Sequence, residues 1–128
     1  NTKKVLIHDA ARPFISQKII TSCIDGLDTH KAVVTSIPVT DTIVKSANGE
    51  IINIEDRNKL FLNQTPQGFE YNTILKAHKN SNKDVTDDIS LLKLDEIKCK
   101  VVNGSTNNIK ITNPSDIHVA QSILTLVK

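Results

Sequence analysis

Asp9 and Arg12 stand three residues apart, just beyond the apolar run Val5-Leu6-Ile7. In α/β proteins, ligands sit outside the carboxyl ends of such strands. A carboxylate there can hold a metal ion and an arginine can hold an anion. The same pair also suits a capped turn beside a surface arginine. Lys110 alternates with Ile109 and Ile111. It is either a solvent-facing strand lysine or an ammonium point charge aimed at a phosphate. Arg57 follows Asp56. An exposed pair of that kind is usually solvated and contributes little, and its alternative is a functional cation. Thr42, on the other side of the same segment, is a weaker candidate of the same sort. Thr86-Asp87-Asp88 reads as an ordinary capped helix start. The same helix N-terminus would offer N–H groups and a hydroxyl to an anion, and two adjacent acids favour a bridging cation over a bare phosphate.

Other chemistries find no support. His8, His30, His78 and His118 lack ligand-like spacing, so no zinc site is expected. There is no GxSxG, P-loop or GxGxxG segment. The chain has only four glycines, none in a glycine-rich loop, and so shows no cradle for a polyphosphate.

These side chains must be positioned by regular elements. Val5–Ile7 is continuously apolar, as a buried parallel strand would be. Ser16 is a plausible N-cap, and Ile19, Ile20, Cys23, Ile24 and Leu27 form a helical stripe after it. Ala32–Ile37 returns to a strand, completing a βαβ unit with a right-handed crossover. Residues 38–60 differ. Val39–Lys45 and Glu50–Ile54 read as two strands around a Ser46–Gly49 turn whose Asn-Gly supplies positive φ. A two-stranded hairpin is marginal alone, so it is expected to lean on another surface, such as a partner subunit. Gln64–Phe69 reads as a turn-rich connector. A helix with Ile74, Leu75 and His78 follows, then a polar loop over 80–84, and Thr86 is placed to cap the next helix. Val101-Val102 and Ile109–Thr112 read as short strands. Asn113 and Pro114 then open a last helix, with Ile117, Ala120, Ile123, Leu124 and Val127 on one face.

The bulk properties agree with one α/β domain. The chain has 128 residues, 38% of them hydrophobic and mostly well-patterned Ile, Val and Leu. A net charge of +2 with scattered lysines and no aromatic-basic platform argues against a nucleic-acid surface. Cys23 and Cys99 have no CxxC spacing and are expected to be buried thiols in a reducing compartment. No apolar run approaches a membrane span and no signal peptide is seen, so the expected location is the cytoplasm.

Taken in order, the segments carry a resemblance. His8-Asp9-Ala10-Ala11-Arg12-Pro13-Phe14, Pro38-Val39-Thr40-Asp41-Thr42, Asp56-Arg57, Gln64-Thr65-Pro66-Gln67, Thr86-Asp87-Asp88 and Asn108-Ile109-Lys110-Ile111-Thr112, followed by Pro114 and Asp116, resemble the 2-C-methyl-D-erythritol 4-phosphate cytidylyltransferases. The resemblance runs from the first strand to the last helix. It implies a Rossmann-like nucleotidyltransferase with a mostly parallel, three-layer sheet and an inserted hairpin. It also implies attack of methylerythritol phosphate on the α-phosphate of CTP, with Mg²⁺ required. By motif, Asp9 corresponds to the acid near the metal and the CTP phosphates. Arg12, Thr42 and Thr86 correspond to substrate contacts. Arg57 and Lys110 correspond to the catalytic cations that position the sugar phosphate. The 38–60 hairpin corresponds to a homodimerisation arm, so that Thr42 and Arg57 serve the neighbouring subunit's site.

The family opens with a strand and a glycine-rich basic loop around the CTP triphosphate, for which this sequence has no counterpart. The resemblance therefore covers roughly the C-terminal half of the family, one partial domain over 1–128, and the chain alone is expected not to turn over. Three other readings share these motifs. One is a ribitol 5-phosphate cytidylyltransferase. Another is the cytidylyltransferase part of a bifunctional enzyme with a cyclodiphosphate synthase domain. The third is a non-catalytic truncated remnant.

Overall fold

The computed structural model describes residues 1–81, 85–94 and 96–126. Most of the expected 80–84 loop, and Val127 of the last helical face, lie outside the described residues. The main sheet comprises β1 (Lys4–Ile7), β2 (Ala32–Pro38), β5 (Phe61–Glu70) and β6 (Cys99–Asn103), in the order β1-β5-β2-β6. β2 pairs in parallel with β6, while β5 runs antiparallel to both β1 and β2. Three of the four strands thus run one way, as expected for a mostly parallel sheet, and β5 is the exception lying between β1 and β2.

β2 is buried along most of its length because it is covered on both faces. Val33 joins Ile19 and Cys23 of α1 (Gln17–Gly26) and Val102 of β6 on one side. Its alternate neighbours Ala32 and Val34 join Phe69, Ile89, Leu92 and Ile74 of α2 (Tyr71–Asn80) on the other. Successive side chains of a strand face opposite ways, so this alternation yields the three layers. Ser16 caps α1, its hydroxyl accepting the Ile19 N–H at 3.3 Å. Ile24 of the expected stripe is exposed.

Three expectations are corrected. Gln64–Phe69 is the second half of β5, not a connector. Proline and glycine suggest a break, but the strand accommodates both. Val34 pairs with Gln67 whereas Ser36 pairs with Asn63, so Gln64–Pro66 form a bulge. There the missing N–H of Pro66 costs no ladder bond. Its carbonyl accepts the Thr35 hydroxyl at 2.7 Å. Gly68 is needed for close packing, since a Cβ there would lie 2.6 Å from Val33 Cγ2 and 2.9 Å from Leu6 Cδ2.

Second, Thr86 caps no helix. Asp87 precedes a four-residue 3-10 turn, Asp88–Leu91, with no side-chain cap bond. The Asp87 carboxylate instead accepts the side-chain amides of Gln67 and Asn63, and Gln67 Oε1 takes the Ile89 N–H. β5 thus satisfies the donor that a helix cap would have taken. His78, expected on an apolar stripe, is exposed and bonded to Asp88 at 2.9 Å.

Third, Ile109–Thr112 is irregular chain rather than strand. It is tied by the Ile111 N–H to Ala11 O at 2.9 Å. The segment it lies against is the Asp9–Phe14 loop, which offers no ladder to extend.

The hairpin forms as a separate two-stranded sheet, β3 (Val44–Ala47) and β4 (Glu50–Ile54). Asn48 and Gly49 take φ values of 52° and 83°, as a tight hairpin turn requires. Its first strand starts at Val44 rather than Val39, because Val39 closes the neck of the arm by donating to Leu60 O. Every residue of both strands is exposed.

In α3 (Asp116–Leu126), Ala120 and Ile123 are buried, whereas Ile117 and Leu124 of the expected face are exposed. Asp116 Oδ2 accepts the N–H groups of Asn113 and Thr112 and the Thr112 hydroxyl. With Asn113 before Pro114, this is the carboxylate half of a capping box. The Asn113 N–H, then the two Thr112 donors, hold the Asp116 carboxyl below its ordinary 3.8. The folded carboxyl therefore titrates below the unfolded one. Its contribution is present above the unfolded value and is lost as pH falls through the lower folded value. Asp116→Asn should lower Tm at neutral pH, and the gap to wild type should close in strong acid. A gap independent of pH would refute this assignment.

Cys23 and Cys99 are both free, the first buried and the second half-buried. Burial pushes the Cys23 thiol up and the Cys99 thiol up to about 11. Among the described residues, no helix is long and apolar enough to cross a membrane.

Candidate functional site

The loop leaving β1 is fixed by β5. The Thr65 hydroxyl accepts the Asp9 N–H at 3.0 Å and bonds His8 Nδ1 at 2.9 Å. His8 Nε2 lies 2.9 Å from Arg12 O. A carbonyl only accepts, so Nε2 carries the proton, and in the neutral ring Nδ1 takes the Thr65 hydroxyl proton. The Arg12 N–H closes the turn on Asp9 O at 3.0 Å. The Asp9–Arg12 spacing thus comes from a tight turn whose two ends are tied through Thr65 and His8.

The structure brings three of the expected residues together. Lys110 Nζ lies 3.1 Å from Asp9 Oδ2, and Arg12 Nε lies 3.6 Å from the same oxygen. Arg12 Nη1 donates to Asn108 O at 2.8 Å. The Arg12 side chain is only 12% exposed, whereas Asp9 and Lys110 are 36% and 47% exposed. Arg12 is therefore a built-in part of the wall, while Asp9 and Lys110 face solvent. Two cations against one carboxylate leave the cluster with a net positive charge, which suits an anionic ligand.

Arg57, Thr42 and Thr86 are not in this cluster within the protomer. Arg57 lies in a 3-10 turn after the hairpin and donates to Thr40 O at 2.6 Å. The exposed Thr42 and Thr86 hydroxyls make no hydrogen bond among the described residues. Nor do the described residues bring three His, Cys, Asp or Glu side chains together as a protein cage for a metal. Asp9 alone fits a different arrangement. Mg²⁺ is commonly held by one or two carboxylates plus substrate phosphates and waters, and one partly exposed carboxylate can serve in that way.

Sequence reasoning gave no individual role to His8, Gln64, Thr65 or Asn108. Gln64 and Asn108 are buried, and Gln64 Nε2 donates to Ser105 O at 2.9 Å. The available signal was the run of amides in an apolar setting. Buried amides must find partners, but the sequence does not say which.

Similarity to known proteins gives the family. The family model described as "IspD: 2-C-methyl-D-erythritol 4-phosphate cytidylyltransferase" matches residues 1–126. A 2-C-methyl-D-erythritol 4-phosphate cytidylyltransferase from Prochlorococcus marinus is 44% identical over 125 residues, covering 94% of this chain and 56% of its own length. A bifunctional enzyme IspD/IspF from a Ruegeria species is 38% identical, covering 95% of this chain and 32% of its own. The crystal structure of 4-diphosphocytidyl-2C-methyl-D-erythritol synthase from Anaerococcus prevotii superposes with a TM-score of 0.88 at 33% identity, over 97% of this chain and 59% of that one. The chain spans about half the length of the single-function relatives it matches. With that family model spanning residues 1–126, the chain belongs to the 2-C-methyl-D-erythritol 4-phosphate cytidylyltransferase family.

Proposed function

We propose that the complete protein transfers a cytidylyl group from CTP to 2-C-methyl-D-erythritol 4-phosphate. A phosphate oxygen of the acceptor forms a bond to the α-phosphorus of CTP, the bond to the β-phosphate bridge breaks, and pyrophosphate leaves with that electron pair. The products are CDP-methylerythritol and pyrophosphate. The observation that carries this reading is the Asp9–Arg12–Lys110 cluster at a strand end of a family-matched chain.

Such a transfer asks the protein for positioning and charge neutralisation rather than covalent chemistry. Lys110, half-exposed beside Asp9, is placed to hold the acceptor phosphate. Arg12, fixed against Asn108 O, supplies a second positive charge on the substrate side. Arg57 and Thr42 reach a site from the arm, and Thr86 adds a hydroxyl contact. When bound, Mg²⁺ held by Asp9 and the CTP phosphates would neutralise triphosphate charge. The chain acts as a homodimer through the 38–60 arm, a reading supported by the separate, fully exposed hairpin and by the absence of Arg57 from its own protomer's cluster. The proposed location is the cytoplasm, supported by the nucleotide substrate and the two free thiols.

The test is an assay of the complete protein with CTP and either methylerythritol phosphate or ribitol 5-phosphate. Pyrophosphate release with the first acceptor is expected. Preference for ribitol phosphate, or no release with either, would overturn the proposal.

A further inference from the structure

Asn108 is fully buried and sits two residues before Lys110. Its Nδ2 donates to Thr65 O at 2.8 Å and to Gln64 Oε1 at 3.3 Å. Its backbone carbonyl takes Arg12 Nη1 at 2.8 Å. The amide orientations follow from chemistry rather than choice. Ser105 N–H is a donor and lies 3.3 Å from the Gln64 atom, which must therefore be oxygen. The Asn108 atom facing that oxygen, and the Thr65 carbonyl, must then be the NH₂.

One residue thus joins three parts of the site, β5 through its side chain and Arg12 through its backbone carbonyl. Thr65 is the β5 residue whose hydroxyl holds the Asp9 N–H. Arg12 is the cation packed beside Asp9, and the loop that carries Asn108 goes directly on to Lys110. The connection is tight at its far end too. A Cβ on Gly104 would lie 2.5 Å from Gln64 Oε1, so the loop approaches the bulge as closely as a glycine permits. Among the described residues, two buried side-chain polar atoms remain without a hydrogen bond to protein, Arg12 Nε and Asn108 Oδ1. Both belong to residues already joined by the 2.8 Å bond from Arg12 Nη1 to Asn108 O. Buried polar atoms without a protein partner are uncommon. The nearest opposite charge to Arg12 Nε is Asp9 Oδ2 at 3.6 Å, the oxygen shared with Lys110.

We propose that the Asn108 amide is a positioning residue for cytidylyl transfer, setting Lys110 and Arg12 on Asp9 by latching the Lys110 loop to the β5 bulge. The inference rests on the proposed reaction for its kinetic part and on geometry alone for its structural part. It assigns Asn108 no contact with substrate. Its effect is carried through Lys110 and Arg12.

The experiment is a double-mutant cycle in the complete protein, with Asn108→Ala and Lys110→Ala alone and together. Asn108→Ala is expected to raise KM for the acceptor about tenfold, the scale of a small misplacement of a positioning group. KM for CTP should stay within about twofold. On the Lys110→Ala background, Asn108→Ala should add less than about twofold, because coupled residues are not additive. Independent, multiplicative effects would overturn the proposal, as would parallel rises in both KM values. Asn108→Asp, which keeps the shape but removes both N–H donors, guards against an alanine variant that fails to fold and should show the same KM pattern. A second readout is independent of turnover. Hydrogen exchange at the Arg12 Nε–H, followed by ¹⁵N NMR, should be slow in wild type and fast in Asn108→Asp. If wild type transfers nothing yet exchange at Arg12 depends on Asn108, the reaction is wrong and the latch stands. If wild type is active and exchange at Arg12 is unchanged by the substitution, the latch is wrong and the reaction stands.

Discussion

Lys110→Ala in the complete enzyme is expected to lower kcat/KM for the acceptor by about 10²–10³-fold, the scale for removing one preorganised charge from a developing anion. Stability should hardly change. Lys110 is half-exposed and its ion pair with Asp9 lies at the surface, where such pairs are worth about 0–1 kcal/mol. Arg57→Ala should produce a similar loss from the arm. Its guanidinium donates to Thr40 O and makes no ion pair with Asp9, so its effect cannot come from disturbing the Asp9 cluster of its own protomer. Co-expressing the two impaired variants separates two geometries. If the arm serves the neighbouring site, a heterodimer contains one site with Lys110 from one subunit and Arg57 from the other. A random mixture then regains about a quarter of wild-type activity, as the symmetry of a two-fold dimer requires. No recovery would place Arg57 in its own subunit's site. An unchanged kcat/KM together with a lowered Tm would remove Lys110 from the site altogether.

Phe69→Ala should be the most damaging single substitution in the core. Phe69 is completely buried, pairs with Val5 on one side and Ala32 on the other, and joins the cluster with Val34, Ile74, Ile89 and Leu92. Truncating a phenylalanine in such a setting costs about 3–5 kcal/mol, combining lost transfer energy with the cavity left behind. In a protein of ordinary marginal stability that is a large share of the total. Urea denaturation of the complete protein is the check. A loss below about 1.5 kcal/mol would mean that the strand collapses over the gap or that α2 is not packed as described.

Much of the framework was legible. Val5–Ile7 and Ala32–Val34 announced themselves as strands because short apolar runs suit a sheet interior, although β1 is half-buried and pairs antiparallel with β5 rather than as a buried parallel strand. The hairpin was legible through Asn48-Gly49, whose positive φ is a local property. β5 was not, because its Pro66 and Gly68 look like breakers unless the partner strands are known. The bulge opposite β2 and the close approach of Val33 and Leu6 are tertiary facts. The site divides in the same way. Asp9, Arg12 and Lys110 stood out by charge and place. The bonds that set them do not, since Thr65 lies 56 residues from Asp9 and Asn108 lies 96 from Arg12. Thr86 was misread as a helix cap because the competing acceptor, Gln67 Oε1, which takes the Ile89 N–H, comes from a strand that the sequence concealed.

The exposed arm has a consequence for how it can be covered. Ile51, Ile52 and Ile54 are 66%, 64% and 66% exposed along one strand. Lys45 pairs with Asn53 and Ser46 with Ile51, so Ile52 is an extra residue that bends the ribbon. A bent apolar ribbon is dried by a clasp shaped to it rather than by a flat surface. Where that clasp is a second copy of the same chain, the hairpin's order becomes a second-order property. It then tightens as chains are concentrated and loosens on dilution, while the four-stranded sheet behind it does not notice.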